Sequence, residues 1–183
     1  MEYISIIDYA RFIGLSALQK GLTITPLKLQ KLLYYEQAWS MVFFGRSAQL
    51  FEEKPQAWVN GPVYPEIYHL FNHKLGIYDN FEKKHFCDDK DLDLPMDICI
   101  RQLAESMALN ENQLFLSERI LTLYGTKSQD ELVLMTHCEE PWCEQREGLL
   151  PFERCEREIS LDTMYRYYKT RHEHNRLKQS SNV

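Results

Sequence analysis

The sequence has no apolar run long enough to cross a bilayer, which argues against a helical membrane protein. Such a span needs about 20 consecutive apolar residues, but the longest aromatic-rich stretch is interrupted by Glu36, Gln37 and Ser40. The N-terminus also lacks the basic segment and apolar core of a signal peptide. We therefore expect a cytoplasmic protein with no membrane partner.

Sequence motifs that mark catalytic sites are also missing. There is no glycine-rich phosphate loop, dinucleotide fingerprint or hydrolase nucleophile turn. Adjacent acids such as Glu139-Glu140 can do general acid–base work, but on a surface they are usually solvated charge. We expect a protein that is not an enzyme, has no catalytic residues and binds no cofactor.

An excess of positive charge is absent, since 21 Lys and Arg stand against 27 Asp and Glu and the formal net charge is −6. Binding to nucleic acid relies on clustered cations that release counterions, so nucleic acid is not the expected partner. The basic, aromatic stretch 166–178 leaves that alternative open. Its other interpretation is a solvated helix face with cations near the helix C-terminus.

The five cysteines are an odd number and lack a disulfide-scaffold spacing, so free thiols are expected. A set of metal-ligand types lies close together in sequence, namely His137, Cys138, Cys143 and Cys155. Structural zinc sites usually need two closely spaced ligand pairs, and no second pair exists here. We expect no metal, with a site formed by these four residues as the alternative.

The chain of 183 residues, 44% hydrophobic and 26% charged, fits one globular domain. Apolar periodicity and capping signals predict a mainly α, single compact helical domain with a small two- or three-stranded β element around residues 46–60. The helices are expected at about 3–20, 25–44, 65–72, 95–108 and 112–124, for ten residues from Ser128, and from near Ser160 into a basic tail. Pro141-Trp142 should break the helix that begins at Ser128, residues 73–94 should form a loop, and the final residues should fray.

Residues 58–71, here called the elbow, have the sequence WVNGPVYPEIYHLF. Gly61 allows a turn where a Cβ would clash. Pro62 and Pro65 fix φ at their positions, so the elbow should be pre-organised. Two roles are open. Trp58 and Tyr68 can pack on the helix around 29–39 as a core hinge, or the turn with Asn60 can form the rim of a partner-binding surface.

Four stretches, in this order, resemble the SocA-like antitoxin family, whose domain is also called Panacea. They are TPLKLQKLLYYEQAW (25–39), LFEEKPQAWVNGPVYPEIYHLF (50–71), LTLYGTKSQDEL (121–132) and THCEEPWCEQREG (136–148). The resemblance covers roughly residues 5–160 and gives a domain at 1–160, with 83–111 interpreted as an insertion. Residues 161–183 are then a C-terminal helix and a flexible basic tail.

The resemblance implies a bacterial or phage antitoxin of a type II-like toxin–antitoxin pair. It would neutralise a cognate toxin, encoded next to it, by direct protein–protein binding. The alternatives are an adaptor that delivers a toxin or client to a protease, with the tail as a second surface, and a phage anti-defence binding protein. Because the toxins of such a family are diverse, specificity is expected in variable surface such as 73–111 or the tail.

Candidate partner-binding residues come from the matching motifs and their surroundings. Successive helical positions fan around the axis, so at least one of Lys28, Gln30 and Lys31 is expected to be exposed or paired with an acid. The full candidate set is Lys28, Lys31, Tyr34, Trp58, Asn60, Gly61, Pro62, Tyr64 and Trp142.

Overall fold

The computed structural model describes residues 3–72 and 75–180, which form eight α-helices and one two-stranded sheet. The elements are α1 (Ile6–Gln19), α2 (Pro26–Phe44), β1 (Gln56–Trp58), β2 (Gly61–Val63), α3 (Pro65–Phe71), α4 (Met96–Ser106), α5 (Glu111–Leu123), α6 (Gln129–His137), α7 (Glu140–Gln145) and α8 (Leu161–Ser180), with 3-10 turns at Lys83–His85 and Asp89–Asp91. The mainly α fold is confirmed. None of these described helices is both long and apolar enough to span a membrane. The fraying expected at the chain end concerns residues outside the described part.

Helix α2 is the centre of the fold. The Thr25 hydroxyl accepts a hydrogen bond from the Lys28 N–H at 3.1 Å, and Pro26 occupies the first turn, where its missing N–H costs nothing. The helix ends before Gly45, which has φ +106°. Every residue from 27 to 41 is buried, so the helix is surrounded by other elements rather than exposing one face.

Polar side chains of α2 hold the loop that follows it. The Gln37 Oε1 accepts from the Leu50 N–H at 2.7 Å, and its Nε2 donates to the Phe51 carbonyl at 3.3 Å. The Ser40 hydroxyl donates to the Ala48 carbonyl at 2.7 Å. Buried backbone groups need partners, and here side chains supply them. Residues 46–55 form no strand.

The sheet is a short hairpin over residues 56–63, so it begins near the end of the predicted range 46–60 and extends past it. Strand β1 pairs antiparallel with β2, with Ala57 opposite Pro62. A further segment runs antiparallel beside β1, because the Ala57 N–H donates to the Arg157 carbonyl at 3.0 Å and the Ile159 N–H donates to the Pro55 carbonyl at 2.7 Å. The chain between α7 and α8 thus packs along the hairpin.

Local signals mark the starts of α6 and α7. The predicted capping box is present, since the Ser128 hydroxyl accepts from the Glu131 N–H at 3.2 Å and the Glu131 carboxylate accepts from the Ser128 N–H at 2.7 Å. The expectation that Pro141-Trp142 breaks α6 is wrong. That helix already ends at His137, and Pro141 lies in the first turn of α7, a position that suits proline.

Glu139, just before α7, is 2% exposed, so the expectation that Glu139-Glu140 is a solvated pair is wrong for its first member. Its carboxylate accepts from the Tyr35 hydroxyl at 3.3 Å, from the Tyr168 hydroxyl at 2.5 Å and from the Arg171 guanidinium at 3.0 Å. Burial raises the pKa of Glu139, while these donors oppose the rise. The network fixes α8 against α2 and α7.

A second buried acid, Glu36, lies on α2. The Tyr9 hydroxyl of α1 donates to its Oε2 at 3.1 Å, and its Oε1 has no hydrogen-bond partner among the described atoms. Burial raises the pKa of Glu36 to about 8, although the bond from Tyr9 lowers it. The folded protein therefore holds this carboxyl protonated at neutral pH.

This pKa predicts how the Glu36→Gln variant depends on pH. The folded-state pKa lies above the ordinary value, so the stability associated with Glu36 is present in full below pH 4.5 and is lost as pH rises towards 8. Glutamine does not titrate and suffers no such loss. In urea unfolding, we expect the stability of Glu36→Gln relative to the wild type to rise by on the order of 4 kcal/mol between pH 4.5 and 8.5. A difference that stays constant over this range would contradict the prediction.

Candidate functional site

The elbow starts with the turn Val59-Asn60, which joins β1 to β2. Gly61 follows with φ +95°, a region that residues with a side chain rarely adopt. A Cβ on Gly61 would lie 2.7 Å from Cε and Nζ of Lys31 and 2.7 Å from Oγ1 of Thr136. Both the backbone conformation and the available space therefore require glycine here.

Helix α2 holds the elbow from one side. The Lys31 ammonium donates to the Pro62 carbonyl at 3.0 Å. The Gln30 side chain forms two hydrogen bonds with the Tyr64 backbone. Its Oε1 accepts from the Tyr64 N–H at 2.8 Å, and its Nε2 donates to the Tyr64 carbonyl at 3.2 Å. Two adjacent residues of α2 therefore fix the backbone on both sides of Val63.

Helix α7 and the residue after it hold the elbow from the other side. The Trp142 indole N–H donates to the Trp58 carbonyl at 2.9 Å. Arg146 is 7% exposed, and its guanidinium donates to the Ala57 carbonyl at 3.1 Å while lying 5.1 Å from the Trp142 ring centre. The hairpin backbone is thus tied inward by side chains from two directions, which lowers the entropy that its ordering would cost on binding.

The lysines of the motif KLQK are structural in this arrangement. Lys31 is fully buried, and burial lowers its pKa to about 7. The Lys28 ammonium donates to the Gly125 carbonyl at 2.6 Å, and burial lowers its pKa as well. The expectation that Lys28, Gln30 or Lys31 is exposed or paired with an acid is wrong. All three are buried and bond backbone groups instead.

His137 belongs to the same buried region. Its ring stacks on Trp142 with 4.1 Å between ring centres and 14° between planes. Burial lowers the pKa of His137, and the nearby charge of Lys31 lowers it further. Its Nε2 is buried without a hydrogen-bond partner among the described atoms. The neutral ring therefore works as a packing surface for the indole that binds the elbow.

The cysteines lie in dissimilar surroundings. Cys138 and Cys143 are exposed, and Cys155 is buried. The Cys143 thiol donates to the His137 carbonyl at 3.1 Å and the Cys155 thiol to the Gln145 carbonyl at 3.6 Å. Among the described residues, no three His, Cys, Asp or Glu side chains are arranged to hold a metal ion.

The candidate partner-binding residues fall into three groups by exposure. Asn60 is exposed, and Trp58 and Trp142 are half-buried. The remaining six are buried: Lys28, Lys31, Tyr34, Gly61, Pro62 and Tyr64. Tyr34 packs edge-on against Tyr35 and Tyr168 rather than at the surface. Buried side chains cannot contact a partner directly in this conformation. Lys31, Gly61, Pro62 and Tyr64 form or hold the elbow, whereas Lys28 bonds the Gly125 carbonyl and Tyr34 packs on α8. Asn60, Trp58 and Trp142 can face a partner.

A cleft of about 740 Å³ opens beside the elbow. Trp58 and Tyr68 form one wall, in edge-to-face contact with 4.8 Å between ring centres, next to Asn60 at the turn. Apolar side chains from α2, β2, α3 and the chain after it complete the lining, which includes Leu27, Val63, Ile67, Phe71, Leu75 and Ile77. An apolar concavity with a few polar groups at its mouth is typical of binding sites.

Sequence reasoning missed Arg146 and the segment that follows it. Arg154, Cys155 and Glu156 line the cleft, although they come from a part of the chain far from the elbow in sequence. No local pattern marks this placement, because it results from the pairing of residues 157–159 with β1. An arginine just after a helix end gave no sign that it would be buried.

Comparison with known proteins identifies the family. A family model described as antitoxin SocA-like, Panacea domain, matches residues 29–143, which include most of α2, the elbow, α6 and most of α7. No curated protein and no solved structure matches the chain. The matched range covers well over half of the sequence, and the chain therefore belongs to the SocA-like antitoxin family with a Panacea domain.

Proposed function

We propose that this protein neutralises a cognate toxin by binding it directly, as a stoichiometric inhibitor rather than as an enzyme. Membership of an antitoxin family supports the antitoxin role. The observation that carries the mechanism is the elbow, whose backbone is fixed by buried side chains while Asn60 remains exposed beside an apolar cleft. A rigid turn next to a cleft is suited to recognising a protein surface.

The partner in this proposal is a protein toxin encoded by the gene adjacent to the gene for this chain. Energy of binding would come from a few aromatic or arginine anchors rather than from the whole contact area. Trp58 and Trp142 are half-buried aromatic side chains at the elbow and can supply part of this energy without a change of fold. The acidic charge of the chain, −6, would speed encounter with a basic toxin.

The proposal is tested by titrating toxin activity with purified components. The probe is the protein encoded by the adjacent gene, provided that it arrests growth when expressed alone. Its activity is measured as this chain is added at increasing molar ratio. We expect activity to fall linearly and to end near equivalence, because a tight inhibitor is consumed by its target. Full toxin activity at an excess of this chain would contradict direct neutralisation.

The same titration separates inhibition from adaptor function. The distal part of α8, residues 173–178, is exposed and offers a second surface for a protease. An adaptor would leave the purified toxin active and would remove it only when a protease and ATP are added. Loss of activity without any protease therefore supports inhibition, and loss that requires the protease supports the adaptor.

A further inference from the structure

The loop Leu149–Glu153, here called the apolar loop, presents two large apolar side chains to solvent. Leu150 is 72% exposed and Phe152 is 89% exposed. Single exposed apolar residues are common, but two within three residues form a local patch. We propose that the apolar loop and the cleft beside it form one docking surface for a basic protein toxin that places an apolar side chain in the cleft. This inference rests on the proposed function.

The apolar loop has a fixed backbone, which separates it from an ordinary surface loop. The Arg146 guanidinium donates to the carbonyls of Leu150 and Pro151 at 3.2 Å each and to that of Glu153 at 2.8 Å. The Leu150 N–H donates to the Glu153 carboxylate at 3.1 Å. An exposed aromatic side chain on an ordered backbone loses little entropy on binding, which is a property of interface anchors.

The same arginine joins the apolar loop to the elbow. Its other guanidinium nitrogen donates to the Ala57 carbonyl in β1. Immediately after the loop, Arg154, Cys155 and Glu156 line the cleft, as Trp58 does. Phe152 precedes Arg154 by two residues, so the apolar loop leads directly into the lining of the cleft, and a partner could contact both.

The charge around the apolar loop favours a basic partner. Glu144 and Glu147 are exposed just before it, and neither forms an ion pair with a cation in the described part of the chain. Arg154 is paired with Glu156. The opposing charges of Arg157 and of the buried Arg146 are both bonded to backbone carbonyls, and Glu153 adds a third carboxylate at the loop. Carboxylates at a rim steer association with a cationic surface and repel an anionic one.

The apolar loop lies outside residues 29–143, the part that matches the family model. The elbow, with Trp58 and Asn60, lies inside it. Changes to the outward-facing Leu150 and Phe152 would leave the matched part of the fold intact, because Arg146 holds the backbone of the loop.

The test compares Phe152→Ala with Phe115→Ala in calorimetric titrations against the toxin encoded by the adjacent gene. Phe115 is 66% exposed on α5, an element with no residue in the cleft, so it is a matched control. Neither change removes core packing, because both rings face solvent. We expect Phe152→Ala to weaken Kd about tenfold or more and Phe115→Ala to leave it within about twofold of wild type.

The outcomes separate this inference from the proposed function. If the wild type binds the toxin and Phe152→Ala binds it equally well, the docking surface is wrong while the proposed function stands. If the wild type does not bind, the proposed function fails and the docking surface fails with it. Sedimentation of the chain without toxin measures whether the chain associates with itself. Self-association that Phe152→Ala abolishes would assign the surface to a second copy and overturn the inference.

Discussion

Gly61→Ala is expected to lower the free energy of unfolding by about 3 kcal/mol, measured by urea denaturation. A side chain in the left-handed region costs about 1–3 kcal/mol. In addition, the new Cβ would lie 2.7 Å from the Lys31 ammonium, which is fully buried and holds the Pro62 carbonyl. The lysine must move, and the elbow then loses the bond that orders it. We also expect weaker toxin binding.

Gly21→Ala is the matched control for this variant. Gly21 also has a left-handed backbone, with φ +72°, but no atom lies within 4 Å of the position its Cβ would take. It therefore carries the backbone strain without the collision, and a loss of about 1 kcal/mol is expected. Equal losses for Gly21→Ala and Gly61→Ala would show that the contact with Lys31 has no energetic importance.

Arg146→Lys is expected to lower the free energy of unfolding by about 3 kcal/mol and to loosen the apolar loop. The planar guanidinium bonds four carbonyls at once, those of Ala57, Leu150, Pro151 and Glu153. An ammonium cannot reach this set with the same geometry, and buried acceptors left without partners are costly. The measurements are urea denaturation and the rate at which chymotrypsin cuts after Phe152.

Arg157→Lys controls for the loss of an arginine in the same region. Its exposed guanidinium bonds the carbonyls of Gln145 and Glu147, so water can replace it. We expect a change within about 0.5 kcal/mol and no faster cleavage after Phe152. If Arg146→Lys behaved in the same way, the apolar loop would not depend on the buried arginine, and its proposed rigidity would be wrong.

Helix α2 shows which parts of the fold could be predicted from sequence. Its start at Thr25-Pro26 and its end before Gly45 are local signals, because a cap, a proline in the first turn and a glycine stop depend on neighbouring residues. The capping box at Ser128 was predictable for the same reason.

The polar members of the site were not predictable in this way. At least one of Lys28, Gln30 and Lys31 was expected to be exposed or paired with an acid, because successive helical positions fan around the axis. The burial of Lys31 and Gln30 depends on backbone carbonyls and amides that only the folded elbow supplies. Glu139 is buried for a similar reason, since its donors Tyr168 and Arg171 come from α8. Each depends on a contact between segments far apart in sequence.

The elbow and the apolar loop also differ in how far their positions could be predicted from sequence. Asn60 and Gly61 formed a recognisable turn signal, and the turn lies where it was expected. The apolar loop had no such signal, because its position follows from the pairing of residues 157–159 with β1. The expected specificity regions, 73–111 and the tail, remain predictions. We propose the apolar loop, which lies outside the range that matches the family model, as a further contact region.

The titration of toxin activity against molar ratio tests the central claim most directly, because it asks whether this chain alone is sufficient to inhibit. We expect the activity of the purified toxin encoded by the adjacent gene to fall to background near one equivalent of this chain, with no protease present. We also expect Phe152→Ala to shift the curve to higher ratios. Toxin that stays active at a large excess of the wild-type chain would rule out direct neutralisation.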